Sequence, residues 1–180
     1  AETAREMVAS GDWITPRVNG GPFFEKPPLY YWMAGASLEA FGVSPLAVRL
    51  PAALAAMLTV LLTAAIGARV WSRRAGLLAG LTLATCLQMA IIGRMGIMDA
   101  PLTCLTLLAL LAYARWRTRG DALGAVGFAA CVGLGVLLKG MAGLIPLSVA
   151  IIHGLIEVFR GQRRRFSWAS VARGAPAALV

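Results

Sequence analysis

The stretch LPAALAAMLTVLLTAAIGA, residues Leu50–Ala68, decides the class of fold, because it runs for 19 residues without a charged side chain. An α-helix needs roughly 20 apolar residues to cross the hydrocarbon core of a bilayer. The run ends at Arg69, and Arg73 and Arg74 follow closely. We predict a membrane-spanning helix that ends in a basic loop.

Four further apolar runs follow the first and are separated from one another by charged residues. They are Ala75–Gly93, Ala100–Ala114, Ala122–Leu138 and Gly140–Ile156. The composition agrees with membrane spans: 59% of the residues are hydrophobic and only 14% are charged, which is too apolar for a soluble or a disordered chain. We therefore predict an all-α fold, a polytopic membrane helical bundle with about five spans over residues 50–180.

The last ten residues, 171–180, are predicted to begin another apolar segment. The chain has neither an initiating Met nor a signal peptide. We expect these 180 residues to be part of a larger polytopic protein.

Arginines follow the first, third and fifth runs. They are Arg69, Arg73, Arg74, Arg115, Arg117, Arg119, Arg160, Arg163, Arg164 and Arg165. The two intervening turns carry only Arg94 with Asp99, and Lys139. By the positive-inside rule the arginine-rich loops are cytoplasmic, so residues 1–49, the turn at 94–99 and Lys139 share the opposite face. The net charge of +9 therefore indicates orientation and contact with membrane lipids, and we predict no nucleic-acid partner.

Residues 1–49 are predicted to form an external segment with two amphipathic interfacial helices. Glu2–Ser10 places Ala4 and Met7 on one helical face, and Gly11 ends that helix. The glycines and prolines of Asp12–Phe24 predict a loop. Leu29–Phe41 is predicted to be the second helix, with Tyr30, Tyr31, Trp32 and Phe41 at headgroup depth.

Glu25 and Lys26 are the first candidates for chemistry, because Pro27 and Pro28 hold the residues before them in an extended conformation. A carboxylate beside an ammonium at a membrane surface could bind a metal and a phosphate. It could equally be a solvated charge pair. The chain contains only two lysines, Lys26 and Lys139, and both are predicted on the external face.

Asp99 lies at the start of a predicted span, and two interpretations stay open for it. It could pair with Arg94 and tie a short turn, or it could line a substrate cavity. Lys139 similarly either marks the end of a helix beside Gly140 or meets a bound anion. His153 and the cysteines, which lie within apolar runs, are predicted to be packing residues.

Three segments resemble one family of membrane enzymes. They are EMVASGDWITPRVNGGPFFEKPPLYYWMAGASLEAFGVSPLAVRLP (6–51), GIMDAPLT (96–103) and LLKGMAG (137–143). They resemble the bacterial lipid-to-lipid glycosyltransferases of the aminoarabinose transferase type, which are related to protein O-mannosyltransferases. The resemblance extends over essentially the whole chain, and FEKPPLYYW is its most specific part.

The resemblance implies a GT-C fold and a glycosyltransferase without a nucleotide cofactor. Such an enzyme takes a sugar from a polyprenyl (undecaprenyl) phosphate donor and delivers it to an extracytoplasmic acceptor, such as lipid A, another glycan or a protein. It also implies a multi-pass protein of the bacterial inner membrane, with residues 1–49 in the periplasm.

The family's site residues are carried over onto matching positions. Glu25 would help to hold a divalent metal, which could be Zn²⁺, Mg²⁺ or Mn²⁺. Lys26 would bind the donor phosphate, and Lys139 and Arg94 are further candidates for that phosphate. Asp99 would be a cavity-lining catalytic carboxylate.

The resemblance also implies that the principal catalytic carboxylate precedes residue 1 and that a metal-binding His follows residue 180, so we expect these residues alone to be inactive. The alternative is a transporter or flippase of polyprenyl-linked sugars, because the same cavity and basic residues could bind such a lipid without chemistry.

Overall fold

The structure is a computed structural model that describes residues 1–159. The arginines predicted to orient the chain at 160–165 and the apolar segment predicted at 171–180 lie outside the described residues. The helices are α1 (Glu2–Ser10), α2 (Leu29–Phe41), α3 (Pro45–Val70), α4 (Arg73–Thr85), α5 (Leu87–Met95), α6 (Asp99–Arg119), α7 (Ala122–Lys139) and α8 (Ile145–Phe159), with a 3₁₀ turn at Gly140–Leu144. A two-stranded antiparallel hairpin joins β1 (Arg17–Val18) to β2 (Gly21–Pro22).

The predicted all-α membrane fold is confirmed. By length and composition, Pro45–Val70 and Ala122–Phe159 are long and apolar enough to cross a membrane, and α4 with α5 forms a third such unit bent by 59°. The number of spans stays a prediction.

The apolar run predicted at Ala75–Gly93 is not one continuous helix. Cys86 adopts an extended backbone, with φ −63° and ψ 120°, and separates α4 from α5. Just before it, the Thr85 hydroxyl donates a hydrogen bond to the Leu81 carbonyl at 2.9 Å, a type of bond that bends helices. The bend lets Met89 of α5 pack against Ala52 of α3.

The chain reverses direction between α7 and α8. Lys139, at the end of α7, contacts Asp99 at the start of α6. Eighteen residues later, Glu157 of α8 contacts Arg117 near the end of α6. The segment 122–159 therefore runs the length of α6 twice, and the 3₁₀ turn lies between the two passes.

Two glycines allow this reversal. Gly140 has φ +60°, a backbone conformation that side chains disfavour. A Cβ on Gly143 would lie 2.1 Å from the carbonyl carbon of Gly135, so the turn packs directly on the backbone of α7. In a membrane, such small residues let backbones approach closely.

The external segment packs on the bundle through buried apolar residues. The apolar face of α1 is covered, since Ala4 and Met7 are each only 1% exposed. Tyr30 and Tyr31 are also buried, and of the four aromatic residues of α2 only Trp32 and Phe41 are exposed. The depth of α2 relative to the lipid headgroups stays a prediction. Tyr30 belongs to the core that α1 and α2 form with α3, α6 and α7.

Helix α3 begins before the boundary predicted at residue 49. Ser44 caps it by accepting a hydrogen bond from the Ala47 N–H at 3.2 Å. Pro51 lies inside this helix and has no N–H to give to the Ala47 carbonyl. The buried Ser37 hydroxyl of α2 donates to that carbonyl at 2.6 Å instead, and this bond ties α2 to α3.

We predict that Gly143→Ala destabilises the protein by about 1–3 kcal/mol or more, because the new methyl group overlaps backbone atoms of α7. The thermal unfolding midpoint of the detergent-solubilised protein measures the effect. Gly133→Ala in α7 is the matched control, since its Cβ would meet nothing within 4 Å. Equal midpoints for the two variants would contradict the close packing.

Candidate functional site

A cavity of about 620 Å³ lies where the external segment meets the ends of α6 and α7. Four of the five predicted site residues line it together: Glu25, Lys26, Asp99 and Lys139. They come from three separate parts of the chain, which packing has brought to one place. The remaining wall comes from α1, from the start of α2 and from the turn at 96–98.

Asp99 and Lys139 form an ion pair across the wall of this cavity. Asp99 opens α6 and Lys139 closes the antiparallel α7, so each charge lies at the helix end that its sign favours. Each side chain is 42% exposed, so the pair is open to the cavity. The interpretation in which Asp99 pairs with Arg94 was wrong, because the contact is with Lys139.

Glu25 and Lys26 lie at the rim of the cavity and are exposed. Glu25, Lys26 and Lys139 also line a second depression of about 500 Å³, so these side chains lie between two cavities. Within residues 1–159, no carboxylate lies within ion-pair distance of Lys26, and its charge is therefore available to a ligand. Since both side chains are exposed, the interpretation of Glu25 and Lys26 as a solvated charge pair and their interpretation as a ligand-binding pair both stay open.

Glu6 of α1 anchors the loop that leads to these residues. Its carboxylate accepts hydrogen bonds from the backbone N–H of Asn19 at 2.7 Å and of Gly20 at 3.3 Å. Both residues have positive φ and form the tip of the β1–β2 hairpin. The prediction of an irregular loop over Asp12–Phe24 was wrong here, although Asn-Gly is a strong sequence signal for a hairpin turn.

Asp12 stabilises the beginning of the same loop. Its Oδ1 accepts hydrogen bonds from the N–H of Thr15 at 3.0 Å and of Ile14 at 3.1 Å. These two bonds hold the pKa of the Asp12 carboxyl below its usual value, so the carboxyl is charged near neutral pH.

Trp13 docks the loop on α2. The Trp32 indole N–H donates to the Trp13 carbonyl at 2.7 Å. The Trp13 ring covers Gly35, where a Cβ would lie 2.9 Å from a ring carbon. Glu25 and Lys26 thus extend from a loop that is held by hydrogen bonds at its start, by packing at Trp13 and by Glu6 at its hairpin.

Arg94 is the one predicted site residue that the structure does not bring to this cavity. It lies at the end of α5 and lines a separate apolar depression of about 370 Å³ between α3, α4 and α5. His153 also lies far from the cavity: its Nδ1 is 3.0 Å from the Tyr113 hydroxyl, and it packs against that ring.

The residues needed for a metal centre are incomplete in the described part of the chain. Among residues 1–159, no three His, Cys, Asp or Glu side chains are grouped closely enough to hold an ion. Glu25 is therefore a single candidate ligand.

Two tyrosines line the cavity and escaped the sequence analysis. Tyr30 and Tyr31 follow Pro28 directly, and an interfacial interpretation of their aromatic rings hid their inward placement. Burial raises the pKa of Tyr30 to about 12. Burial also raises the pKa of Tyr31, opposed by a hydrogen bond with Thr3 and assisted by the Glu25 carboxylate. Both hydroxyls are neutral near pH 7.

The signal that could have found Tyr30 is its helical spacing with Ala34 and Leu38, which share the same core.

An apolar groove of about 650 Å³ lies along α2, α3 and α6. Leu29 of α2 and Pro101 of α6 line it, whereas Tyr30 of α2 and Asp99 of α6 line the charged cavity. The same two helices therefore contribute to both a charged cavity and a separate apolar groove.

The fold and this cavity define a polytopic helical membrane protein with a charged pocket at one end of its bundle. Residues 25–179 match the model of the dolichyl-phosphate-mannose-protein mannosyltransferase family, and the chain belongs to that family.

Curated relatives share this similarity. The undecaprenyl phosphate-alpha-4-amino-4-deoxy-L-arabinose arabinosyl transferase 2 of Sodalis glossinidius is 34% identical, over 100% of this chain and 32% of the relative. An arabinosyl transferase of the same name, without the numeral, from Aeromonas salmonicida is 34% identical over 87% of this chain and 30% of the relative. The chain spans about a third of the length of these relatives.

Two solved structures of ArnT from Cupriavidus metallidurans have the same fold. The apo structure superposes with a TM-score of 0.77 and 27% identity, over 96% of this chain and 33% of that one. The structure bound to undecaprenyl phosphate gives the same TM-score and identity over 95% of this chain.

We predict that Glu6→Ala loosens the hairpin and speeds proteolysis of residues 17–26, because two backbone N–H groups lose a charged acceptor worth about 1 kcal/mol at an exposed position. Limited proteolysis followed by mass spectrometry locates the cleavage. Glu39→Ala is the matched control, since this exposed glutamate of α2 has no hydrogen bond to the rest of residues 1–159. Equal cleavage rates in the two variants would refute the anchoring role of Glu6.

Proposed function

We propose that the complete protein transfers a sugar from a polyprenyl phosphate donor to an acceptor outside the cytoplasm, and that the 620 Å³ cavity holds the reacting end of the donor. The relatives named above are arabinosyl transferases that use an undecaprenyl phosphate-linked sugar, and one ArnT structure contains undecaprenyl phosphate. An aminopentose is therefore the first donor sugar to test.

One observation carries the proposal: α2 and α6 help to line both a charged cavity and an apolar groove. A polyprenyl phosphate sugar has a polar end and a long hydrocarbon tail. The groove, with Leu29 and Pro101, supplies apolar wall for the tail, and the cavity supplies charged groups for the phosphate. A soluble sugar donor would have no use for the groove.

Lys26 is the residue best suited to the donor phosphate. Its ammonium has no carboxylate partner within the described residues, and it lies at the cavity rim. When the bond between the anomeric carbon and the phosphate oxygen breaks, negative charge grows on the phosphate. A fixed positive charge beside that oxygen lowers the barrier, because it interacts more strongly with the transition state than with the ground state.

Asp99 and Lys139 have a joint role in the proposal. The Asp99 carboxylate is paired with Lys139, so Asp99 acts by holding the Lys139 ammonium toward the cavity. Lys139 then adds a second positive charge on the other side of the phosphate. Asp99 is in this view a positioning residue, and the acceptor is deprotonated by another group.

The acceptor, the metal and the membrane are further parts of the proposal. We propose an extracytoplasmic lipid or glycan acceptor and a location in the bacterial inner membrane. Glu25 would contribute one carboxylate to a divalent cation, but the described residues do not complete its ligand set. No step above uses a metal.

We predict that Lys26→Ala lowers the turnover of the donor by a factor of about 10² or more, because one preorganised charge at the leaving group is worth that much. The assay uses the complete protein in nanodiscs with undecaprenyl phosphate sugars and follows released undecaprenyl phosphate by mass spectrometry. Arg5→Ala is the control, since Arg5 is exposed on α1 and pairs with Glu2.

Unchanged turnover in Lys26→Ala would remove this residue from the mechanism. A labelled donor that crosses the bilayer with its sugar bond intact would instead favour a flippase. Release that stops with chelator and returns with one added cation would support the metal.

We predict that Asp99→Asn lowers turnover by at least tenfold while the protein still inserts and accumulates, because Lys139 loses its carboxylate partner. The Michaelis constant for the donor rises more than kcat falls if Asp99 only positions Lys139. A variant that fails to accumulate would indicate that the pair serves folding. The double variant Asp99→Asn with Lys139→Gln then tests coupling, and additive losses would rule out the joint role.

A further inference from the structure

A second charged cavity lies at the opposite end of the bundle. It measures about 460 Å³ and lies between the last turns of α3 and α6. Its basic residues are Arg69 of α3 and Arg115 and Arg119 of α6; we call it the arginine pocket. Asp99 and Arg115 are sixteen residues apart on α6, so the arginine pocket is about 24 Å from the cavity described above.

The arginine pocket contains more positive charge than its surroundings neutralise. Arg115 is held by Asp121, with an Nη–Oδ2 distance of 2.7 Å. Arg69 and Arg119 have no carboxylate within ion-pair distance in residues 1–159. Asp121 also interacts electrostatically with Arg119 at longer range. One carboxylate therefore faces three guanidinium groups from two helices, and an anionic ligand would stabilise the remaining positive charge.

The apolar wall of the arginine pocket favours a phospholipid over a free inorganic anion. Ile66, Val70 and Leu111 line the cavity beside the arginines. A free inorganic phosphate would contact only the guanidinium groups. A phospholipid would use both surfaces, because a short glycerol backbone links its phosphate to apolar acyl chains.

The depth of the pocket also suits a lipid headgroup. Helix α3 has 26 residues, which is about 39 Å and longer than the roughly 30 Å hydrocarbon core. The uncharged run of this helix ends at Ala68, so its last turn, which carries Arg69, is placed at the headgroup layer. The same is true of the last turn of α6, because the two turns share this pocket.

We propose that the arginine pocket binds the phosphate of an anionic phospholipid, with the start of an acyl chain against Ile66, Val70 and Leu111. Arg69 and Arg119 bind the phosphate oxygens, and Asp121 keeps Arg115 in place beside them. Basic pockets between membrane helices on the cytoplasmic side are known to hold lipid headgroups in this way. The proposal does not depend on the glycosyltransferase function.

Native mass spectrometry of the detergent-purified protein with added phosphatidylglycerol or phosphatidylcholine tests the pocket. We expect phosphatidylglycerol to bind in preference to phosphatidylcholine. The double variant Arg69→Gln/Arg119→Gln should weaken phosphatidylglycerol binding by about 25-fold. The double variant Arg73→Gln/Arg74→Gln is the matched control, because it removes two exposed arginines that do not line the pocket. It should change binding less than threefold.

Several results would overturn the proposal. Equal losses of phosphatidylglycerol binding in the two double variants would mean that the lipid responds only to the total positive charge at this end of the bundle. Inorganic phosphate that displaces the lipid at millimolar concentration, and that raises the melting temperature as much as the lipid does, would assign the pocket to a free anion. If the Arg69→Gln/Arg119→Gln variant does not fold, the double variant Arg69→Lys/Arg119→Lys replaces it. The lysines keep both positive charges but lack the forked donors of a guanidinium group. Unchanged lipid binding together with unchanged selectivity would then contradict binding by the guanidinium groups.

Discussion

The antiparallel packing of α6 on α7 fixes the positions of Asp99 and Lys139 in the cavity. Asp99 meets Lys139 at one end of the helix pair, and Arg115 meets Asp121 at the other. Near the second of these ends the backbones are close: a Cβ on Gly124 would lie 2.6 Å from the backbone nitrogen of Trp116. In a membrane the hydrophobic effect does not drive helices together, so close backbone contact and paired charges must stabilise their association. A slip of one turn between these helices would separate Asp99 from Lys139 and open the cavity wall.

The external segment depends on a defect in α3. Pro51 removes one helical hydrogen bond, and the Ser37 hydroxyl of α2 takes the freed carbonyl of Ala47. Pro51 thus weakens α3 by one hydrogen bond, but the carbonyl that it leaves free attaches α2 to α3. Because α2 begins three residues after Lys26, this attachment sets the distance between the loop lysine and the ends of α6 and α7. The cavity is therefore built from local irregularities in helices as much as from their regular faces.

The sequence predicts local features of this structure well and distant contacts poorly. The bounds of α1 and α2 follow from Gly11, from Pro28 and from helical spacing, all of which act within a turn or two. The partner of Asp99 could not be predicted from local sequence. Arg94 is five residues away and Lys139 is forty residues away, and only the tertiary packing of α6 on α7 decides between them. The bend at Cys86 and the inward placement of Tyr30 also depend on neighbouring helices. Sequence analysis found the predicted cavity residues through the three segments that resemble the family, but it could not say which charges meet.

The two ends of the bundle differ in how their charges are arranged, and the positive-inside rule explains only part of this. Membrane orientation depends on the number of basic residues in a loop and not on where their side chains point. Packing decides that direction. Arg117 turns toward Glu157, whereas Arg119, two residues later, lines a cavity with Arg69. A loop selected only for orientation would gain nothing from bringing guanidinium groups of two helices together, since their repulsion costs free energy. Their convergence beside an apolar wall is therefore the feature that orientation leaves unexplained and that an anionic lipid accounts for.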